Sequence, residues 1–245
     1  MNRFFLRAGL LSQGEVVSLD EHAHQLNAVL RLQPGVIVLL LDGSGLEYPA
    51  TLVEVGAKHA AALVGAPRPC PTEPRLQITL YMCSLKGDKF AWVLQKGSEL
   101  GVRRFVPVVS KRSVVRPVAA LDAKSERWRT VIREASEQSH RAHLPEIAGA
   151  LDFEKAIAGV EGLRLIPWEG AAGRAPVPVV LAGITRVSLL VGPEGGLADE
   201  EVSAAQSAGW QVVSLGSRIL RAETAAIASV AALCALAGDL GAFGP

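Results

Sequence analysis

The chain has 245 residues, of which 49% are hydrophobic, with 25 Lys plus Arg against 24 Asp plus Glu. That apolar share is enough for a full core and excludes an intrinsically disordered chain. The net charge of +1 hides an uneven spread: Lys96 to Arg141 holds eleven Lys and Arg against five Asp and Glu, so this segment is +6 and the rest −5.

Taken in chain order, Met1 to Arg7 carries no apolar run ahead of a cleavage site, so no signal peptide is read. Residues 22–30 suit a short helix that ends before Pro34 and Gly35. Val36 to Leu41 and Glu47 to Val55 read as strands on either side of Asp42-Gly-Ser-Gly45, a hairpin signal. Residues 1–66 are therefore expected to form a small β-barrel-like domain, close to the lower size limit for independent folding. Four prolines between Ala66 and Pro74 restrict φ and remove N–H donors, which makes residues 67–74 a semi-rigid linker.

In residues 75–245 strands and helices alternate. Strands are expected at Leu76 to Cys83, Arg104 to Val109, Gly162 to Ile166 and Val187 to Val191, and helices at Asp88 to Leu100 and Ser125 to His140. The strand at Val187 runs into Gly192-Pro-Glu-Gly-Gly196 and a helix starting near Asp199. Leu215 to Ala225 repeats the pattern, with Thr224 near the next helix start. Alternation of this kind implies an α/β domain, its sheet largely parallel and covered on both faces. The Ala-rich tract from Ala225 to Gly238 is too short for a bilayer span and reads as a buried or interface helix.

The chemistry-bearing residues divide unevenly. The +6 segment, interleaved with Trp128 and ending in Ser139-His-Arg141, suits a polyanion, although solvated Arg-rich helix faces explain it equally well. Cys70, Cys83 and Cys234 form neither a CxxC nor an even framework, which fits a reducing, cytoplasmic setting. Cys70 lies in a Pro-Cys dipeptide, a spelling that can mark a pyrimidine methyltransferase nucleophile, but within a linker it reads as inert. Cys83 and Cys234 read as buried apolar residues. His22 and His24 lack a third ligand in spacing, so no metal is expected. Gly192 to Gly196 spells neither a P-loop nor a dinucleotide fingerprint. A tight turn would use the same residues, yet two such loops in succession place close-approach backbone at the carboxyl edge of a parallel sheet, where ligands bind.

The pair formed by Gly192-Pro-Glu-Gly-Gly196 and Leu215-Gly-Ser-Arg-Ile-Leu-Arg-Ala-Glu-Thr-Ala225 resembles the SPOUT class of methyltransferases, and within it the RsmE family of 16S rRNA uridine N3-methyltransferases. Gln95 to Val102, Glu134 to Gln138, Arg141 and Leu144-Pro-Glu146 extend the match, as do Val29-Leu-Arg31 and Asp42-Gly-Ser44. The resemblance implies a C-terminal trefoil knot, a PUA-like RNA-binding domain at the N-terminus, and a homodimer. It implies S-adenosylmethionine as methyl donor, held by the loops 167–170, 192–196 and 215–220. Trp168, Gly192, Glu194, Gly195 and Gly196 would contact it, together with Leu215, Gly216, Ile219, Leu220 and Thr224. For Leu215, Ile219 and Leu220, core packing is the plainer alternative.

Arg221 and Glu194 stand as the catalytic candidates. Glu223 is a second possible base, and either carboxylate could instead cap a helix or pair with Arg221. Arg3, Arg31, Arg112, Arg116, Arg141 and Arg218 are the expected RNA contacts. His140 and His143 depart from the family pattern, which places a small and a basic residue there. The implied substrate is uracil 1498 of 16S rRNA in the small ribosomal subunit. Alternatives are a catalytically silent RNA-binding or ribosome-assembly protein, and a SPOUT enzyme acting on ribose 2′-OH or tRNA.

Overall fold

Val38, Leu40, Ala50, Leu52, Ala62 and Val64 are buried along three neighbouring strands, as a side-chain period of two requires when one sheet face meets a core. They belong to the first of two units in the computed structural model, which describes residues 1–171, 181 and 183–240. The first unit comprises Met1–Glu73 and Ser136–Leu144, the second Pro74–Ala135 and Pro145–Pro245.

The first unit contains β1 (Arg3–Phe5), β2 (Val16–Ser18), β3 (Ile37–Leu41), β4 (Leu46–Val55), β5 (Ala60–Val64) and β6 (Arg68–Pro69). The sheet runs β1-β3-β4-β5-β2, with β6 on β4, and every pairing except β1–β3 is antiparallel. Asp42 Oδ1 accepts the Ser44 N–H at 3.0 Å in the β3–β4 turn. The helix expected over 22–30 is instead a 3₁₀ turn, Asp20–His22, and a π-helical turn, Gln25–Val29. Leu26 is the one buried residue of the π turn, so the segment lacks the apolar stripe that sustains an α-helix.

One buried and one partly buried carboxylate organise this unit. Glu47, 1% exposed, meets Arg3 at 2.6 Å and Arg68 at 3.1 Å, and accepts the Cys70 thiol at 3.3 Å. Burial pushes its carboxyl upward, but the Cys70 and Arg3 hydrogen bonds and the Arg3 charge outweigh this and hold it below the usual range. Glu73 pairs with Arg141 at 3.0 Å and accepts the N–H groups of Ala142 and His143 at 2.8 and 2.9 Å. Ala142 then packs among Phe5, Leu41 and Cys70.

The second unit contains β7 (Gln77–Cys83), α1 (Lys89–Glu99), β8 (Arg104–Val109), α2 (Val118–Asp122), α3 (Ser125–Gln138), whose last three residues group with the first unit, β9 (Glu146–Ile147), β10 (Leu151–Asp152), α4 (Phe153–Ile157), β11 (Leu163–Pro167), β12 (Arg186–Val191), α5 (Asp199–Ser207), β13 (Gln211–Val213) and α6 (Ala222–Leu236). Strands run β10-β8-β7-β12-β11-β13, with β9 on β8, and every pairing is parallel. Both faces are covered. Leu80, Met82, Leu189 and Val191 pack in one cluster with Phe90 and Val93 of α1 and Val230 and Leu233 of α6. Cys83, Val106 and Leu190 pack in another with Phe153 of α4 and Val202 of α5. Each such side chain contributes about 1.5–3 kcal/mol through removal from water. Among the described residues no helix is long and apolar enough to cross a membrane.

All three cysteines are buried, and burial pushes the Cys83 thiol up to about 12. The thiolate is the reactive form, so a thiol reagent is expected to leave native protein unlabelled and to label it once urea unfolds it. Intact-mass measurement of labelling against urea concentration checks this.

Candidate functional site

Because β11, β12 and β13 are parallel neighbours, the segments that follow them emerge at one sheet edge. These segments enclose a cavity of about 330 Å³. Trp168 and Glu169 line it after β11, Gly192, Glu194 and Gly196 after β12, and Ile219, Leu220 and Arg221 before α6. A second cavity of about 280 Å³ shares Trp168, Glu169, Ile219 and Leu220, and adds Leu215, Gly216 and Arg218. Volumes of this order suit a small organic ligand.

The loop after β12 takes its shape from two glycines. Gly196 has φ +69°, a left-handed conformation that L side chains rarely adopt. A Cβ on Gly192 would lie 3.1 Å from Leu197 Cγ and 3.2 Å from its backbone nitrogen, closer than ordinary contact. Arg112 braces the same loop from outside, its guanidinium donating to the carbonyls of Gly195 at 3.1 Å and Leu197 at 3.4 Å.

Glu194 Oε1 accepts the Lys86 N–H at 3.0 Å and lies 3.6 Å from Lys89 Nζ. Lys89 Nζ is also 3.3 Å from Glu223 Oε1. Burial raises the Glu194 carboxyl, but the backbone N–H groups of Lys86 and Glu194 itself, with the Lys89 charge, hold it below the usual range. An acid held ionised in this way is a weak proton acceptor and a strong loop anchor. Glu223 Oε2 is buried and has no hydrogen-bond partner among the described residues.

Of the residues singled out by sequence, the structure brings Trp168, Gly192, Glu194, Gly196, Ile219, Leu220 and Arg221 to the larger cavity, and Leu215, Gly216 and Arg218 to its neighbour. Gly195 and Thr224 line neither. Ile219 is 86% exposed, so it is not the core residue that its apolar character allowed. Arg31, Arg112, Arg116 and Arg218 are exposed. Arg116 donates to the carbonyls of Ser113 and Ser110, both at 3.0 Å.

Three expectations require correction. The Arg3 and Arg141 side chains are 9% and 3% exposed, paired with Glu47 and Glu73, so they are interior ion pairs and not surface RNA contacts. Trp128 is buried and stacks on Phe90 with ring centroids 4.4 Å apart, so it presents no face to a base. Glu169 lies in the expected 167–170 loop without having been singled out, and Lys89, which also lines the cavity, was missed. The one available signal for Lys89 was its basic side chain at the start of a predicted helix, beside a loop.

The RNA methyltransferase domain family matches residues 72–234. The ribosomal RNA small subunit methyltransferase E of Synechocystis is 36% identical over 87% of this chain and 70% of its own length. The chain belongs to the ribosomal RNA small subunit methyltransferase E family. The Bacillus subtilis member is 31% identical, with 87% of each chain covered. The crystal structure of the Neisseria gonorrhoeae member of this methyltransferase E family, solved bound to S-adenosyl methionine, is 33% identical. Its TM-score is 0.87, over 96% of this chain and 98% of that one.

Proposed function

We propose that this chain is an S-adenosylmethionine-dependent methyltransferase acting on N3 of a uridine, uracil 1498, in 16S rRNA of the small ribosomal subunit. The observation that carries the reading is the cavity at the ends of β11, β12 and β13, in a chain whose Neisseria relative was solved with the donor bound. The residues present fit that group. Trp168, Ile219 and Leu220 offer apolar surface, the glycine loop brings backbone within reach, and Glu169 and Glu194 offer negative charge to a cationic donor. When bound, the donor supplies a methyl group on a sulfonium, a leaving group that needs no metal.

The reaction balances simply. The uracil N3 gives its proton to solvent water, its electron pair forms the N–CH₃ bond, and the C–S bond to the donor would break with its electrons remaining on sulfur. The chain's part is to bind, orient and stabilise charge. Arg221 lies in the cavity wall, where it can steady the uracil oxygens as negative charge develops. Glu194, held ionised and anchored, shapes the loop. Arg31, Arg112, Arg116 and Arg218 are the exposed cations proposed to meet phosphate. The first unit is read as a PUA-like RNA-binding domain, the second as a SPOUT trefoil knot, and the protein as a cytoplasmic homodimer.

Incubating the protein with S-adenosylmethionine and unmodified small subunits, then digesting the rRNA, should yield N3-methyluridine by mass spectrometry. Methyl groups on ribose, or none despite donor binding, would reject the N3 assignment.

A further inference from the structure

We propose that Lys89 is a positioning residue of the methyl-transfer site, tying the glycine loop after β12 to the first turn of α6 through Glu194 and Glu223. This rests on the methyltransferase reading above. One ammonium spans two carboxylates from different segments, at 3.6 Å and 3.3 Å. The three side chains are 34%, 24% and 17% exposed, so the bridge is partly shielded from solvent. Partly buried charge pairs are screened less by salt than surface pairs.

The surrounding charges do not duplicate the bridge. From its own loop, the Lys86 N–H reaches Glu194, while Asp88 is engaged by Arg127 at 2.7 Å. Arg221, which precedes α6, and Glu169, after β11, line the same cavity. Among the described residues, Lys89 is the one side chain within ion-pair distance of both Glu194 and Glu223. Lys89 is the first residue of α1, a helix that packs in the same core cluster as α6, so its backbone is fixed by burial of Phe90 and Val93. Its ammonium therefore works from a rigid base and sets the width between loop and helix. Removing it leaves two like charges facing each other, and they relax by moving apart or by taking up a proton.

The test uses Lys89→Met, Lys89→Arg and the double variant Lys89→Met/Glu223→Gln in the full chain. Single-turnover methylation of small subunits is measured from pH 5.5 to 8.5. Carbon-13 NMR follows the Glu194 carboxyl in ligand-free protein. Lys89→Met is expected to lose about tenfold in rate at neutral pH, in the range for loss of a group that positions reactants. Its acid limb should move to higher pH, with Glu194 protonating earlier than in wild type. Lys89→Arg should restore most of the rate. The double variant, with one carboxylate left, should return the acid limb and the Glu194 titration towards wild type, whether or not Lys89→Met folds well. Unchanged rate, pH profile and Glu194 titration in Lys89→Met, beside an active wild type, would overturn the bridge alone. So would failure of the double variant to recover the Glu194 titration. A wild type that neither binds the donor nor transfers methyl would overturn the methyltransferase reading and the bridge with it.

Discussion

Gly192→Val is expected to remove detectable S-adenosylmethionine binding while the chain stays folded. A Cβ at this position already lies inside ordinary contact with Leu197, and two further methyl groups must go into the cavity or push the loop outward. Leu197 cannot yield, because it is 2% exposed and packed in the core with Leu190 and Val202. The loop must move instead, and a displacement of about 1 Å at a positioned site costs roughly 100-fold in rate. Titration calorimetry and a thermal melt on the same sample separate the outcomes. Normal binding by the variant would show that the glycine loop is not the donor's cradle.

Glu73→Ala is expected to cost about 3–5 kcal/mol of stability, because it removes one partner of a largely buried ion pair with Arg141 and the acceptor of two backbone N–H groups. Burial pushes the Glu73 carboxyl up, but the charge and hydrogen bond of Arg141 and the His143 and Ala142 N–H groups hold it below the usual range. A carboxyl depressed on folding stabilises the native state above its unfolded value, and this contribution is lost as pH falls through the folded value. The gap between wild type and Glu73→Ala should therefore be widest at neutral pH and close in acid. Urea unfolding at stepped pH measures it. The double variant Glu73→Ala/Arg141→Met should lose less than Glu73→Ala alone, since the buried cation leaves together with the carboxylate that balances it. An equal loss would assign the effect to the backbone contacts.

The parallel sheet was legible because its central strands are long apolar runs separated by helical periods. The strand expected at Arg104 to Val109 has those bounds in the structure. The ligand edge was legible because glycine spacing is local information. Strands of two residues, such as β9 and β10, leave no period to read. Arg141 illustrates a deeper limit. A cationic residue in a basic segment reads as solvated, and only the fold reveals Glu73, sixty-eight residues away, as its partner. Lys89 was overlooked for the same reason: Glu194 and Glu223 become its neighbours only once the loop and α6 are in place.

Residues 136–144 belong with the first unit although more than sixty residues separate them from Glu73. Ribosomal synthesis delivers the chain from its N-terminus, so this unit stays incomplete while most of β7 to α3 emerges. Until then the Glu73 carboxylate lacks its buried cation, and the recess among Phe5, Leu41 and Cys70 lacks Ala142. A fragment stopped at residue 74 should accordingly need chaperone help or aggregate. Maturation of the N-terminal unit is thus timed by the emergence of the polypeptide that also builds the second.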